Sequence, residues 1–118
     1  MYKEIKIGDK VIPMVANGAT PMRYKLLFHK DLLVELQSSQ DETSKILDSI
    51  PELAFIMAKS AEAKEGKANM SLLNQESFLE WLEQFGPMDL ALAADEIVNL
   101  YVGNTLTSSE RKKKVKTK

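Results

Sequence analysis

The stretch Tyr2–Pro21, YKEIKIGDKVIPMVANGATP, decides the fold. Ile5 and Ile7 alternate with Lys6, the period of a half-buried strand. Gly8-Asp9 supplies turn chemistry, and Lys10 to Val15 reads as a second strand. Pro13 has no N–H to give a neighbour, so this strand needs a free edge at that position. A lone hairpin is marginal in water. It must therefore pack on the rest of the chain or pair with another.

Beyond the hairpin the pattern turns helical. Thr20 can cap a helix and Pro21 suits its first turn. Tyr24, Leu27 and Phe28 fall on one face, and Arg23, Lys25 and Lys30 fall mostly elsewhere. A break is expected near His29, with Asp31 capping a short continuation through Leu33 and Leu36. Ser39-x-x-Glu42 fits a capping box. Leu47, Ile50, Ala54, Met57 and Ala61 then recur at helical spacing, and Pro51 should kink or restart that helix. Leu53 to Ala58 is apolar nearly all round, which means core or a surface covered by a partner. Lys64 to Asn69, with Gly66, reads as a loop.

In the next helix Phe78, Trp81, Leu82 and Phe85 share a face, with Leu79 at its margin and Glu76, Glu80 and Glu83 opposite. Gly86-Pro87 stops it. A single last helix is expected from Pro87, with Asp89 near its positive end. Its stripe is Leu90, Ala94, Ile97 and Tyr101, widened by Ala91 and Val98, and Gly103-Asn104 ends it. The expected fold is mainly α (α+β): an N-terminal β-hairpin, then a compact bundle of four to five helices. Residues 1–107 form one domain and 108–118 a disordered basic tail.

Charge divides along the same line. The chain has 118 residues and a net charge of −1. Residues 1–107 carry ten Lys and Arg against sixteen Asp and Glu, a net −6, and residues 108–118 carry +5. An acidic body with a basic end argues against nucleic acid as the partner, because such domains carry positive charge on their folded surface. No apolar run approaches the roughly 20 residues of a membrane span, and the N-terminus lacks the apolar core of a signal peptide. Together with the absence of cysteine, this fits a cytoplasmic protein.

Catalytic residues are scarce. There is one histidine. His29 and Asp31 place no nucleophile on a strained turn, so no hydrolase triad emerges. Isolated glycines form no phosphate cradle, and a metal site needs more converging ligands than the chain offers. No cofactor is expected, and the chain reads as non-enzymatic. Glu76, Glu80 and Glu83 could attract a cation, but a solvated helix face explains them more simply. Phe78, Trp81 and Phe85 could face a partner, but core is again the simpler reading. That leaves Leu53 to Ala58 as the interface candidate, with self-association there or at the Pro13 strand a further option.

Two stretches carry a family resemblance. VANGATPMRYKLLFHKDLLVELQ, with Thr20-Pro21, Arg23-Tyr24, and Phe28 before Lys30-Asp31, is similar to a segment of tail assembly chaperones from long-tailed phages and prophages of Gram-positive bacteria. SFLEWLEQFGPMDLALAADEIVNLY resembles a second segment through Glu80-Trp81-Leu82 and Ile97, with Asn104 and Thr107 before the lysines. The order matches and spans most of residues 11–114. Two positions depart from the pattern: His29 stands where glycine is common, and Tyr101 where tryptophan is expected.

The resemblance implies a chaperone that binds the tape measure protein, helps recruit tail tube subunits and is absent from the finished virion. Leu53, Phe55, Ile56 and Met57 are then the expected partner-binding residues, by burial of an apolar helix stripe in a groove. It also implies a longer product made by ribosomal frameshift, with the A-rich codons of Lys112, Lys113 and Lys114 as the slippery region. The alternatives are a small nucleic-acid-binding accessory protein using the basic tail, and a head–tail structural component.

Overall fold

In the computed structural model, residues 1–39 and 43–105 are described, with side chains described for 1–35 and 49–103. An antiparallel hairpin of β1 (Tyr2–Ile7) and β2 (Lys10–Val15) leads into α1 (Thr20–Phe28), α2 (Leu32–Ser39) and α3 (Thr43–Lys64). A single 3-10 turn (Met70–Leu72) then precedes α4 (Gln75–Leu82), α5 (Asp89–Leu92) and α6 (Ala94–Thr105). The protein is a mostly helical α+β globule. No helix among the described residues is long and apolar enough to cross a membrane.

The hairpin forms where the alternation placed it. Gly8 takes φ 64°, and its two-residue loop with Asp9 has the type II′ pattern, with glycine first. The register runs from Ile7↔Lys10 to Tyr2↔Val15. Ile5, Ile7 and Met14 are buried, with Ile12 half-buried beside them. Beyond the register, Met1 and Ala16 exchange both backbone hydrogen bonds, at 2.6 and 2.8 Å. That sets the phase of the ladder, so Glu4 and Pro13 are a non-hydrogen-bonded pair. The missing N–H of Pro13 therefore faces outward, as the sequence requires.

Hairpin and helices are tied at Asp89. Its carboxylate accepts the Gly86 N–H at 2.7 Å and lies against Gly8. A Cβ on Gly8 would come within 2.5 Å of Asp89 Oδ2.

Two helix ends are set locally. His29 closes α1 in the left-handed region (φ 59°, ψ 34°), its N–H bonded to the Lys25 carbonyl at 2.8 Å. Asp31 Oδ1 then accepts the N–H groups of Leu33 and Val34 at 3.0 and 3.3 Å. The break and restart fall where the sequence placed them. Thr20, however, is the first helical residue rather than the cap. Its buried hydroxyl accepts the Asn17 N–H, while Asn17 Oδ1 accepts the Ala19 N–H, both at 2.9 Å.

Three expectations are corrected. Of the two outcomes expected at Pro51, a kink or a restart, the restart does not occur, since α3 runs through it. An interior proline forfeits a hydrogen bond, at about 3 kcal/mol. Burial of Ile50 and of every residue from Leu53 to Ala58 offsets that, each large side chain contributing about 1.5–3 kcal/mol. The last helix is two helices, α5 and α6, separated at Ala93 (φ −93°, ψ 2°). Leu90 and Ala93 join Ile97, Leu100 and Tyr101 in the core, the same face that an unbroken helix would present. Finally, Gly103 is not left-handed and α6 continues to Thr105. Of the Ser39–Glu42 capping box only Ser39, the last residue of α2, is described, and the basic tail falls outside the described residues.

A run of rings crosses the core. Tyr24, Phe28, Phe78, Phe55, Trp81 and Phe85 stand in succession at 4.9–5.6 Å between centroids, mostly edge to face. It links α1, α3 and α4, and such pairs add about 0.5–1.5 kcal/mol each beyond burial.

Candidate functional site

Leu53, Phe55, Ile56 and Met57 are core residues, each no more than 1% exposed. This corrects their assignment to a partner surface. α3 is the central element, packed by α1, α2, α4, α5, α6 and β2. Its apolar circumference is thus consumed inside the chain. Ile56 also lines a hollow at the surface.

That hollow, of about 260 Å³, lies between α1 and the 3-10 turn, lined by Arg23, Leu26, Leu27, Ile56, Met70, Ser71 and Leu73. α1 turns Tyr24 and Phe28 inward, which leaves Met22 and Leu26 on its outer side, one helical turn apart. Leu26 is 67% exposed, and Leu72 in the 3-10 turn is 72% exposed.

The turn is built by its own polar residues. Asn69 Oδ1 accepts the Ser71 N–H at 3.0 Å and the Ser71 hydroxyl at 2.7 Å. Asn74 and Ser77 form a reciprocal capping box at the start of α4. Gln75 Nε2 donates to the Leu27 carbonyl at 3.2 Å, which fixes that start against α1. The hollow is therefore framed by short-range caps and one cross-chain bond.

A second, wider hollow of about 460 Å³ lies between β2, α3 and α4. It is mixed in character, with Ile12, Pro13 and Trp81 beside Lys59, Glu62 and Glu80. Lys59 is occupied by Glu62 at 3.2 Å. Glu76, Glu80 and Glu83 are all exposed, and no group of three or more candidate metal ligands occurs among the described residues. Phe78 and Trp81 are buried, and Phe85 is half-buried against Trp81.

Sequence reading missed a polar cluster behind α1. The Tyr24 hydroxyl donates to Glu52 Oε1 at 2.7 Å. Lys30 Nζ reaches both Glu52 oxygens at 3.1 and 3.2 Å and Glu35 at 4.0 Å, and the Ser49 hydroxyl donates to Glu35 at 3.3 Å. Burial, then the adjoining Glu52 carboxylate, pushes the Tyr24 phenol well above its ordinary range, so it stays a donor. No buried side-chain polar atom among the described residues lacks a partner. A satisfied cluster of this kind fastens the α1–α2 corner to α3 and offers no free group for chemistry. A glutamate inside an otherwise apolar helical run, at Glu52, was the one sequence signal for it.

Compared with known proteins, the chain matches no family model, no curated protein and no solved structure.

Proposed function

We propose that this chain is a non-enzymatic tail assembly chaperone of a long-tailed phage or prophage, binding the tape measure protein and helping to recruit tail tube subunits. The reading rests on the two resembling stretches taken in order. One stretch contributes the end of β2, α1 and α2, and the other contributes α4, α5 and α6. The supporting observation is the hollow beside α1, with the exposed Leu26 on its α1 side and Met70 and Leu73 on the other.

A tape measure protein is long and helical with exposed apolar stripes. One such stripe laid between Leu26 of α1 and Met70 of the 3-10 turn buries apolar surface on both sides, the helix-in-groove mode. Arg23 at the rim is placed to meet an acidic residue of the incoming helix. The binding surface thus moves from Leu53–Met57 to α1 and the 3-10 turn. The chaperone acts in the host cytoplasm and leaves before the virion is complete. Lys112–Lys114 mark the frameshift region of a longer product, a point that the coding DNA decides by the presence or absence of a slippery heptamer and an overlapping frame.

Co-expression with the neighbouring long helical gene product tests the reading. The chaperone keeps that product soluble, and Leu26→Glu with Arg23→Glu, both exposed residues lining the hollow, abolishes the effect while leaving the melting temperature unchanged. Solubility independent of this chain overturns the chaperone reading. Solubility that depends on the chain but ignores both substitutions overturns the groove.

A further inference from the structure

The hairpin has two edges, and they differ. Because Met1 and Ala16 exchange backbone bonds, the ladder alternates so that Tyr2, Glu4 and Lys6 direct their N–H and C=O groups away from β2. Those N–H groups take no partner among the described residues. All three residues are exposed. On β2 the outward positions are Val11, Pro13 and Val15, and Pro13 in the middle has no N–H. Helices pack on one face of both strands, α3 on β2 and α5 and α6 on β1, so the edges differ in their backbone groups rather than in helix cover. One edge is therefore interrupted by proline, and the other is an open template.

We infer that β1 pairs antiparallel with β1 of a second copy of this chain, across a two-fold axis at Ile5, with Glu4 opposite Lys6 of the other copy. The charge pattern selects this partner and this register. Lysine on an edge strand ordinarily discourages pairing. Here the carboxylate two residues earlier lies on the same face of the strand, so antiparallel self-pairing sets each Lys6 against a Glu4. Shifting the register by two residues sets Glu4 against Glu4, like charges directly opposite. In the inferred register both Glu4–Lys6 pairs are hydrogen-bonded pairs, each exchanging two backbone bonds. The two-fold axis is perpendicular to the sheet. The helices of both copies therefore cover one face of a continuous four-stranded sheet, which is more stable than an isolated hairpin. The inference does not rest on the chaperone reading.

Sedimentation of the full chain over a concentration series tests it. The wild type dimerises. Glu4→Lys and Lys6→Glu each weaken the dimer by about tenfold or more, because both symmetry-related pairs become like-charged. Mixing the two variants restores dimer as a heterodimer, since every pair is again Lys against Glu, and the swapped variant E4K/K6E restores a homodimer. Both positions are exposed, so circular dichroism and melting of the monomers stay as in the wild type. A wild type that remains monomeric to roughly millimolar concentration overturns the proposal. So does a dimer that ignores either substitution, or a mixture that does not re-associate.

Discussion

Replacing Lys30 with methionine tests how the α1–α2 corner is held. The substitution keeps most of the aliphatic stem and removes the ammonium that bonds both Glu52 oxygens. Glu52 then keeps the Tyr24 hydroxyl but has no counter-charge, and Glu35 loses the same cation. Breaking a fully buried pair costs about 3–5 kcal/mol, whereas an exposed one is worth about 0–1 kcal/mol. The Glu52 side chain is 12% exposed and that of Lys30 35%, so the cost falls between, at about 2 kcal/mol. For a domain of this size that lowers the melting temperature by roughly 6–10 °C. The assay is urea and thermal unfolding at pH 7, with Glu52→Gln and the double variant completing a cycle. Glutamine still accepts the Tyr24 hydroxyl but carries no charge needing Lys30. The double variant should then be less destabilised than the sum of the singles by about 1 kcal/mol or more. A cost below about 0.5 kcal/mol for Lys30→Met, or strict additivity, refutes the claim that this cluster fastens the corner.

Three further outcomes rest on particular atoms. His29→Gly relieves a left-handed residue and raises the unfolding free energy by up to about 1 kcal/mol, less the extra freedom glycine gives the unfolded chain; His29→Val lowers it by at least as much, both read by urea titration. Gly8→Ala meets both a positive φ and the Asp89 carboxylate, and costs about 2 kcal/mol or more in the same assay. The Tyr24 phenol is raised in the fold, so its contribution is complete below the unfolded value of about 10 and is lost as pH climbs beyond it. Tyr24→Phe should flatten the alkaline fall of the melting temperature, and an unchanged slope would contradict the buried-donor geometry.

What was legible in the sequence was local. The hairpin followed from alternation and Gly8-Asp9, and the α1–α2 break followed from the Asp31 cap, because both depend on residues within a few positions of one another. The reading went wrong where a local signal met a distant one. Pro51 offered a restart as one outcome, but the burial of α3 on several sides keeps the helix running through it. Gly103-Asn104 resembles a helix stop, yet α6 carries through both residues. Thr20 looked like a cap, while Asn17, three residues earlier, makes the turn.

The sequence by itself determined the element types, the acidic body with its basic end, and the edge character of Pro13, since each is a property of composition or short-range periodicity. Only the tertiary structure decided that Leu53 to Met57 is core rather than interface. An all-apolar helical segment has the same pattern in either role, and the difference lies in what surrounds it. The same holds for the Lys30–Glu52 cluster and for the hollow between α1 and the 3-10 turn. Their parts lie tens of residues apart in the chain, and no local pattern encodes a contact that exists only once α3 has gathered the other helices around it.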